Sequence, residues 1–165
     1  MSVVKDPIIN KIFDIIDASD GGAIKSYFYG DPLVIGKSDL PALIGTKDVT
    51  EISDETNAED SHKIRIVLTL VIDIRDYVGD AIVNVEAGDQ KLYDIMEGRN
   101  ADYTLKTTSI VDILRKSASL ANNLDIDMNI PMNIDYGFTF GKRGEKSWSY
   151  EANLTITLFF HQLRG

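Results

Sequence analysis

Positions 63–76 alternate strictly. Every even residue from 64 to 74 is aliphatic, while the odd positions carry Lys63, Arg65, Thr69, Asp73 and Arg75, with Val67 and Val71 between them. A period of two sustained over this length predicts a long strand with one face in a core. The same rhythm returns near the C-terminus. There Trp148, Tyr150, Leu154, Ile156, Leu158 and Phe160 alternate with Ser147, Ser149, Asn153, Thr155 and Thr157. Both segments are about twice the usual five or six residues of a strand. The pattern predicts an α+β protein: a mainly antiparallel sheet of long strands, two to three helices packed on it, and a C-terminal β-hairpin.

The remaining elements are read from local signals. Asp6 is an N-cap and Pro7 the first helical residue; Ile8, Ile9, Ile12, Phe13, Ile15 and Ile16 then recur at helical spacing until Ser19-Asp20-Gly21-Gly22. A short strand over 23–29 follows. The stretch 30–44, with two prolines and two glycines, predicts an irregular extended segment leading into a strand over 41–49. Residues 76–88 are compatible with a loop or a short helix. From Asp89 the stripe Leu92, Ile95, Met96 predicts a helix ended by Gly98, and a further helix is predicted over 108–121. Ser109 and Asp112 stand at the start of that helix, and its buried face is Ile110, Ile113, Leu114, Ala118 and Ala121. From Asp125 the chain alternates through Ile126, Met128, Ile130, Met132, Ile134, Tyr136, Phe138 and Phe140, with Pro131 allowing a bend or an edge. Gly141 to Gly144 form the turn of the closing hairpin.

Composition narrows the function classes. A length of 165 residues predicts one domain, and 44% apolar with 26% charged residues fits a globular chain. The absence of cysteine excludes disulfide and thiolate chemistry and suits the cytosol or a virus particle. The first residues lack the apolar stretch of a signal peptide, and no apolar run reaches the length of a bilayer span. A net charge of −9 disfavours broad binding to nucleic acid or anionic membrane, although DNA could pass through an acidic pore without sticking. The acid is concentrated in 51–62, where Glu51, Asp54, Glu55, Glu59 and Asp60 occur with no Lys or Arg. That composition predicts a flexible, solvated loop, with a lumen-facing or partner-facing role as the alternative.

The search for chemistry yields near misses. Gly36-Lys37-Ser38 ends like a phosphate-binding loop, but position 31 is Asp where that loop needs Gly. Asp125, Asp127 and Asn129 open like a calcium loop, yet Ile130 and Tyr136 occupy the positions of its Gly and Glu, so polar positions of a strand are the better account. His62 and His161 have no second ligand at metal spacing and read as lone exposed residues. Asp73, Arg75 and Asp76 read as solvated strand charges, and Asn153-Leu-Thr155, a glycosylation-type triplet, lies inside a strand. No catalytic residue, cofactor site or metal site is predicted. On a half-buried strand Phe159 and Phe160 face opposite ways, and Val67 and Val71 fall on the polar face. Either a helix covers that face, or Val67, Val71 and Phe159 mark a subunit contact.

The layout resembles a known family. A short N-terminal helix, an irregular segment ending Ser-Asp-Leu-Pro-Ala-Leu-Ile44 and the long alternating strand come first. The stretches 92–100 and 107–115 follow, and the hairpin from 134–137 through 151–156 closes the chain. This is similar to the tail-terminator, or tail-completion, proteins of long-tailed bacteriophages, although the acidic segment 51–62 has no counterpart. The resemblance implies a non-enzymatic virion protein, monomeric until it meets the tail tube, that assembles as a six-fold ring on the last ring of tail-tube protein. Such a ring stops polymerisation and offers a surface to the head–tail connector, while DNA passes through its lumen. It also implies assembly in the host cytoplasm and a place in the tail or neck. Another neck, connector or baseplate part, or a small-ligand-binding or enzyme domain, is the alternative.

Overall fold

The computed structural model describes residues 6–56, 58–73, 81–121, 124–140 and 148–163. These form an α+β fold in which a mainly antiparallel seven-stranded sheet carries three helices. In chain order the elements are α1 (Pro7–Ser19), β1 (Ser26–Tyr29), β2 (Ala42–Thr56), β3 (Glu59–Asp73), α2 (Ala81–Glu97), α3 (Ile110–Lys116), β4 (Ser119–Ala121), β5 (Leu124–Ile126), β6 (Asn133–Phe140) and β7 (Trp148–Leu163). The strands run β1-β2-β3-β7-β5-β4, with β6 also on β7, and β1 lies parallel to β2.

The two long alternating segments pair with each other. β3 and β7 run antiparallel in unbroken register from Glu59↔Leu163 to Asp73↔Ser149. Their in-register rows place Ile64, Ile66, Leu68, Leu70 and Ile72 beside Leu158, Ile156, Leu154, Ala152 and Tyr150. That face is the core, closed by Ile9, Ile12, Phe13 and Ile16 of α1, Leu92 and Met96 of α2, and Ile110, Ile113 and Leu114 of α3. β3 has a long partner on each side, so its backbone groups are satisfied within the sheet and its aliphatic face is covered by helices.

Helix α1 begins as its sequence dictates. The Asp6 carboxylate accepts the Ile8 and Ile9 amide hydrogens, each at 3.0 Å, and Pro7 occupies the first helical position. Asp20 then ties down the exit: its carboxylate accepts Gly22 N–H at 2.9 Å and Ile24 N–H at 3.0 Å, while Gly21 and Gly22 adopt positive φ. Lys47 of β2 reaches the Asp6 carboxylate at 2.5 Å, fixing the helix start to the sheet. Burial works to raise the Asp6 pKa, but the Lys47 hydrogen bond, the two amides and the Lys47 charge outweigh it and hold the carboxyl below its ordinary value. A lowered folded-state pKa contributes stability above the unfolded value, and that contribution is lost as pH falls through the folded one. Asp6→Asn is therefore expected to cost about 1 kcal/mol at neutral pH and to flatten the fall in melting temperature below about pH 4. Thermal melts of both proteins across that range check this; parallel curves would refute it.

Several expectations are corrected. The acidic segment 51–62 is a paired hairpin: β2 runs to Thr56 and β3 starts at Glu59, with Glu51↔Lys63, Ile52↔His62 and Ser53↔Ser61 in register. Its order comes from long-range pairing with β3, and through β3 with β7, which local composition does not reveal. Helix α3 stops at Lys116, and Ala118 and Ala121 belong to the following turn and β4 instead of a helical face; the Ala118 carbonyl accepts Ile126 N–H at 2.7 Å. The alternating stretch from Asp125 is interrupted over 127–132, where the Asp127 carboxylate accepts Asn129 N–H at 3.0 Å and its carbonyl accepts Ile130 N–H. That turn, and not a continuous strand, accounts for the Asp-Asn pattern there. Residues 81–88, open between loop and helix, are the first turns of α2. Ile74, Arg75, Asp76 and the 141–144 turn lie outside the described residues, although β6 and β7 pair as the two arms of the expected hairpin.

One end of the other sheet face is covered by a second cluster. Ile35 and Leu40 from the irregular segment, which includes a 3₁₀ turn over Lys37–Asp39, pack on Ala42, Ile44 and Val71 as a second small core. A coil segment, not a helix, therefore covers Val71, which is fully buried within its own chain and withdrawn as a subunit contact.

Candidate functional site

Beyond the row Thr50↔Ile64↔Leu158 the strands β2, β3 and β7 continue together, flanked by β5 as far as Asp125↔Phe159 and with Phe160 still packed on the core, and then run on as a three-stranded arm. Along β2 this is the six residues 51–56, about 20 Å of extended chain. Three paired strands can hold such an extension where two alone would be marginal. The side chains alternate across it. On one face His62 stacks on Phe160, with ring centroids 4.3 Å apart, beside Ile52; on the other, His161 sits next to Phe159 at 4.6 Å, edge to face. Both histidines are half-buried in the arm, not lone exposed residues, because cross-strand neighbours enclose them.

All five predicted acids are on this arm. Glu55 Oε2 lies 2.5 Å and Glu59 Oε1 3.9 Å from His161 Nδ1. Asp54 stands directly opposite Asp60. Glu51 stands opposite Lys63. The tip also presents apolar surface to solvent, with Ile52 60% and Leu163 74% exposed. Acid and exposed aliphatic side chains at one end of the molecule are the chemistry of a contact surface.

The face below the arm is mixed, and Ile130, Pro131 and Asn133 approach it. Val49, Glu51, Lys63, Arg65, Thr155 and Thr157 border a shallow depression of about 350 Å³, and the Arg65 guanidinium is held by Asp48 at 2.6 Å. Val67 and Phe159, the other two candidate contact residues, are half-buried on this same face. Asn153, on the same face, accepts the Thr69 hydroxyl at 2.6 Å, a bond internal to the sheet.

A second feature was not singled out by the sequence. At the start of β6 a cleft of about 570 Å³ lies between the ends of α2 and α3 and the 131–134 segment. Its floor includes Leu105, Val111, Met132 and Ile134, and Arg99 and Arg115 border it. Arg99 donates to the Tyr103 carbonyl at 3.0 Å and approaches Glu97 at 3.5 Å. Glu97 is already engaged, accepting the Tyr136 hydroxyl at 2.6 Å. Burial first, then the Glu97 hydrogen bond and charge, push the Tyr136 hydroxyl above the ordinary tyrosine range, so it remains a donor at physiological pH. Arg115, in the last turn of α3, makes no ion pair among the described residues. The only sequence trace of this cleft is a pair of arginines, 16 positions apart (115 − 99), each at the end of an apolar helical stripe in an acidic chain.

Among the described residues no group of three or more His, Asp or Glu side chains converges as metal ligands would. No described helix is long and apolar enough to cross a membrane. No known protein-family model matches the chain, and no curated protein matches its sequence.

Proposed function

We propose that this chain is a structural, non-enzymatic protein of a long-tailed phage particle, a tail terminator that forms a ring on the end of the tail tube. The reading rests on the chain's similarity in layout to that family. The observation that carries it is the three-stranded arm, which extends paired strands at the edge of the core and leaves Ile52 and Leu163 exposed among the described residues. Such a surface acquires a purpose when another chain meets it. In the ring, copies make a contact between two different surface patches that closes on itself. One rim binds the last tube ring, the other offers a seat for the head–tail connector, and the net charge of −9 lets DNA slide through without adhering.

Electron microscopy of the purified protein, alone and mixed with tail tubes, tests this. The expected images show six-fold annuli and tubes capped at one end with a fixed length. A protein that stays monomeric and leaves tube growth unchanged would refute the proposal.

A further inference from the structure

We propose that the Arg99–Arg115 cleft binds an organic anion consisting of a single carboxylate carried on an apolar body. The inference goes beyond the ring reading and does not depend on it.

The cations come first. Arg115 stands in the last turn of α3 and makes no ion pair or hydrogen bond among the described residues, in a chain whose net charge is −9. Asp112, the acid on the same helix, is held by Lys116 at 2.7 Å. Arg99 already faces Glu97 at 3.5 Å, and Glu97 also accepts the Tyr136 hydroxyl. Two guanidiniums and one carboxylate leave the cleft border with one positive charge in excess. That balance suits a monoanion, whereas a doubly charged phosphate would set its second charge against Glu97. A planar guanidinium receives a carboxylate through two parallel hydrogen bonds, which gives the head group a defined seat.

The floor decides what the head group is attached to. Leu105, Met132 and Ile134 pack against the main core but are only half-buried, and Val111 lines the cleft with them. A hydrocarbon body laid on these side chains would remove their remaining surface from water. The volume of about 570 Å³ is in the range of small-molecule sites. A wholly polar anion would leave the floor wet, and an uncharged hydrocarbon would leave Arg115 unmatched. A carboxylate on an apolar body meets both. Such a group is carried by a free carboxylic acid or by an apolar residue at the C-terminus of a polypeptide.

One wall is also set in advance. Residues 98–106 fold back on themselves: Lys106 N–H donates to the Gly98 carbonyl at 2.7 Å, Asn100 N–H donates to the Thr104 carbonyl at 2.8 Å, and Arg99 bridges Leu105. Tyr103, whose carbonyl holds the Arg99 guanidinium at 3.0 Å, has a φ of 69°, a left-handed conformation uncommon for a bulky side chain. Arg99 is therefore positioned before a ligand arrives, and binding has less side-chain freedom to remove.

Isothermal titration calorimetry of the full chain with octanoate tests the site. Saturable one-to-one binding with a Kd of about 1 mM is expected. Hexanoate should bind roughly tenfold more weakly, because it lacks two methylenes that the floor would cover. Arg115→Gln should weaken octanoate binding by about fivefold or more. Arg115→Lys should recover only part of that loss, since an ammonium has no planar fork. Arg115 is exposed at a helix end, so both variants should melt close to the unaltered protein. N-acetyl-leucyl-leucine binding more tightly than octanoate would assign the carboxylate to a polypeptide end, and the reverse order would assign it to a free acid. Equal octanoate affinity in the unaltered protein and Arg115→Gln would overturn the proposal. So would tighter binding of inorganic phosphate, equal affinity for hexanoate and octanoate, or no saturable binding of either carboxylate. None of these measurements reads self-association, so this site and the ring reading stand or fall separately.

Discussion

Leu68→Ala is expected to destabilise the fold by about 3–4 kcal/mol and to lower the melting temperature by roughly 10 °C. Leu68 is fully buried on β3, the strand flanked by β2 and β7, and stands in register with Gly45 on one side and Leu154 on the other. Truncation removes the transfer free energy of the lost carbons and leaves a cavity. Both neighbouring strands are fixed in long registers, so they cannot easily collapse into it. Against a total stability of about 5–15 kcal/mol for a domain, this is a large fraction. Leu163→Ala is the internal comparison: that side chain is 74% exposed at the arm tip and its loss should change stability by less than about 0.5 kcal/mol. Urea melts of the two variants, with an unchanged slope confirming two-state unfolding, provide the measurement. Equal effects would show that the alternating face of β3 does not form the core.

Gly45→Ala is expected to cost about 2 kcal/mol through overpacking. A methyl group at this position would stand 2.7 Å from Ile9 Cγ2 and 2.9 Å from Phe13 Cζ, so helix α1 would have to lift from β2. Ile9 and Phe13 are both buried in the main core, and the start of α1 is bound to β2 through Lys47, so the helix has little freedom to move. The absent side chain is therefore what allows helix and sheet to approach. Gly137 provides the control. It too is a strand glycine, in β6, but a methyl group there meets nothing within 4 Å. Gly137→Ala should be neutral or slightly stabilising, because it reduces the freedom of the unfolded chain without a clash. Comparable losses at the two sites would indicate a general strand effect and refute the close-approach account.

The legible parts of this protein are those whose signals are local. The alternation at 64–70 and 152–160 appears in the burial of the even rows of β3 and β7, whereas Val71, Ser149 and Glu151 on the polar face are buried too; the Asp6-Pro7 start and Gly21-Gly22 stop of α1 are observed as read. The stripe Leu92, Ile95, Met96 is the buried face of α2. The misread parts depend on partners distant in sequence. Ala118 and Ala121 suit a helix by propensity, but the backbone there pairs with β5. The coil that buries Val71 lies some 30 residues upstream of it (71 − 40), so the purpose of an aliphatic residue on a polar face was hidden. Likewise Arg99 and Arg115 line one cleft only through the tertiary packing of α2, α3 and the 131–134 segment.

Taken alone, the chain determined its class, the faces of its two long strands, the caps of its first helix and the acidity of 51–62, because periodicity, capping and charge are properties of neighbours in sequence. Tertiary structure decided that the acidic segment is a pair of strands instead of a loop, that Val71 is core, and that two arginines share a cleft. Strand pairing and packing join residues far apart along the chain, and the free energy that orders them exists only once those contacts form.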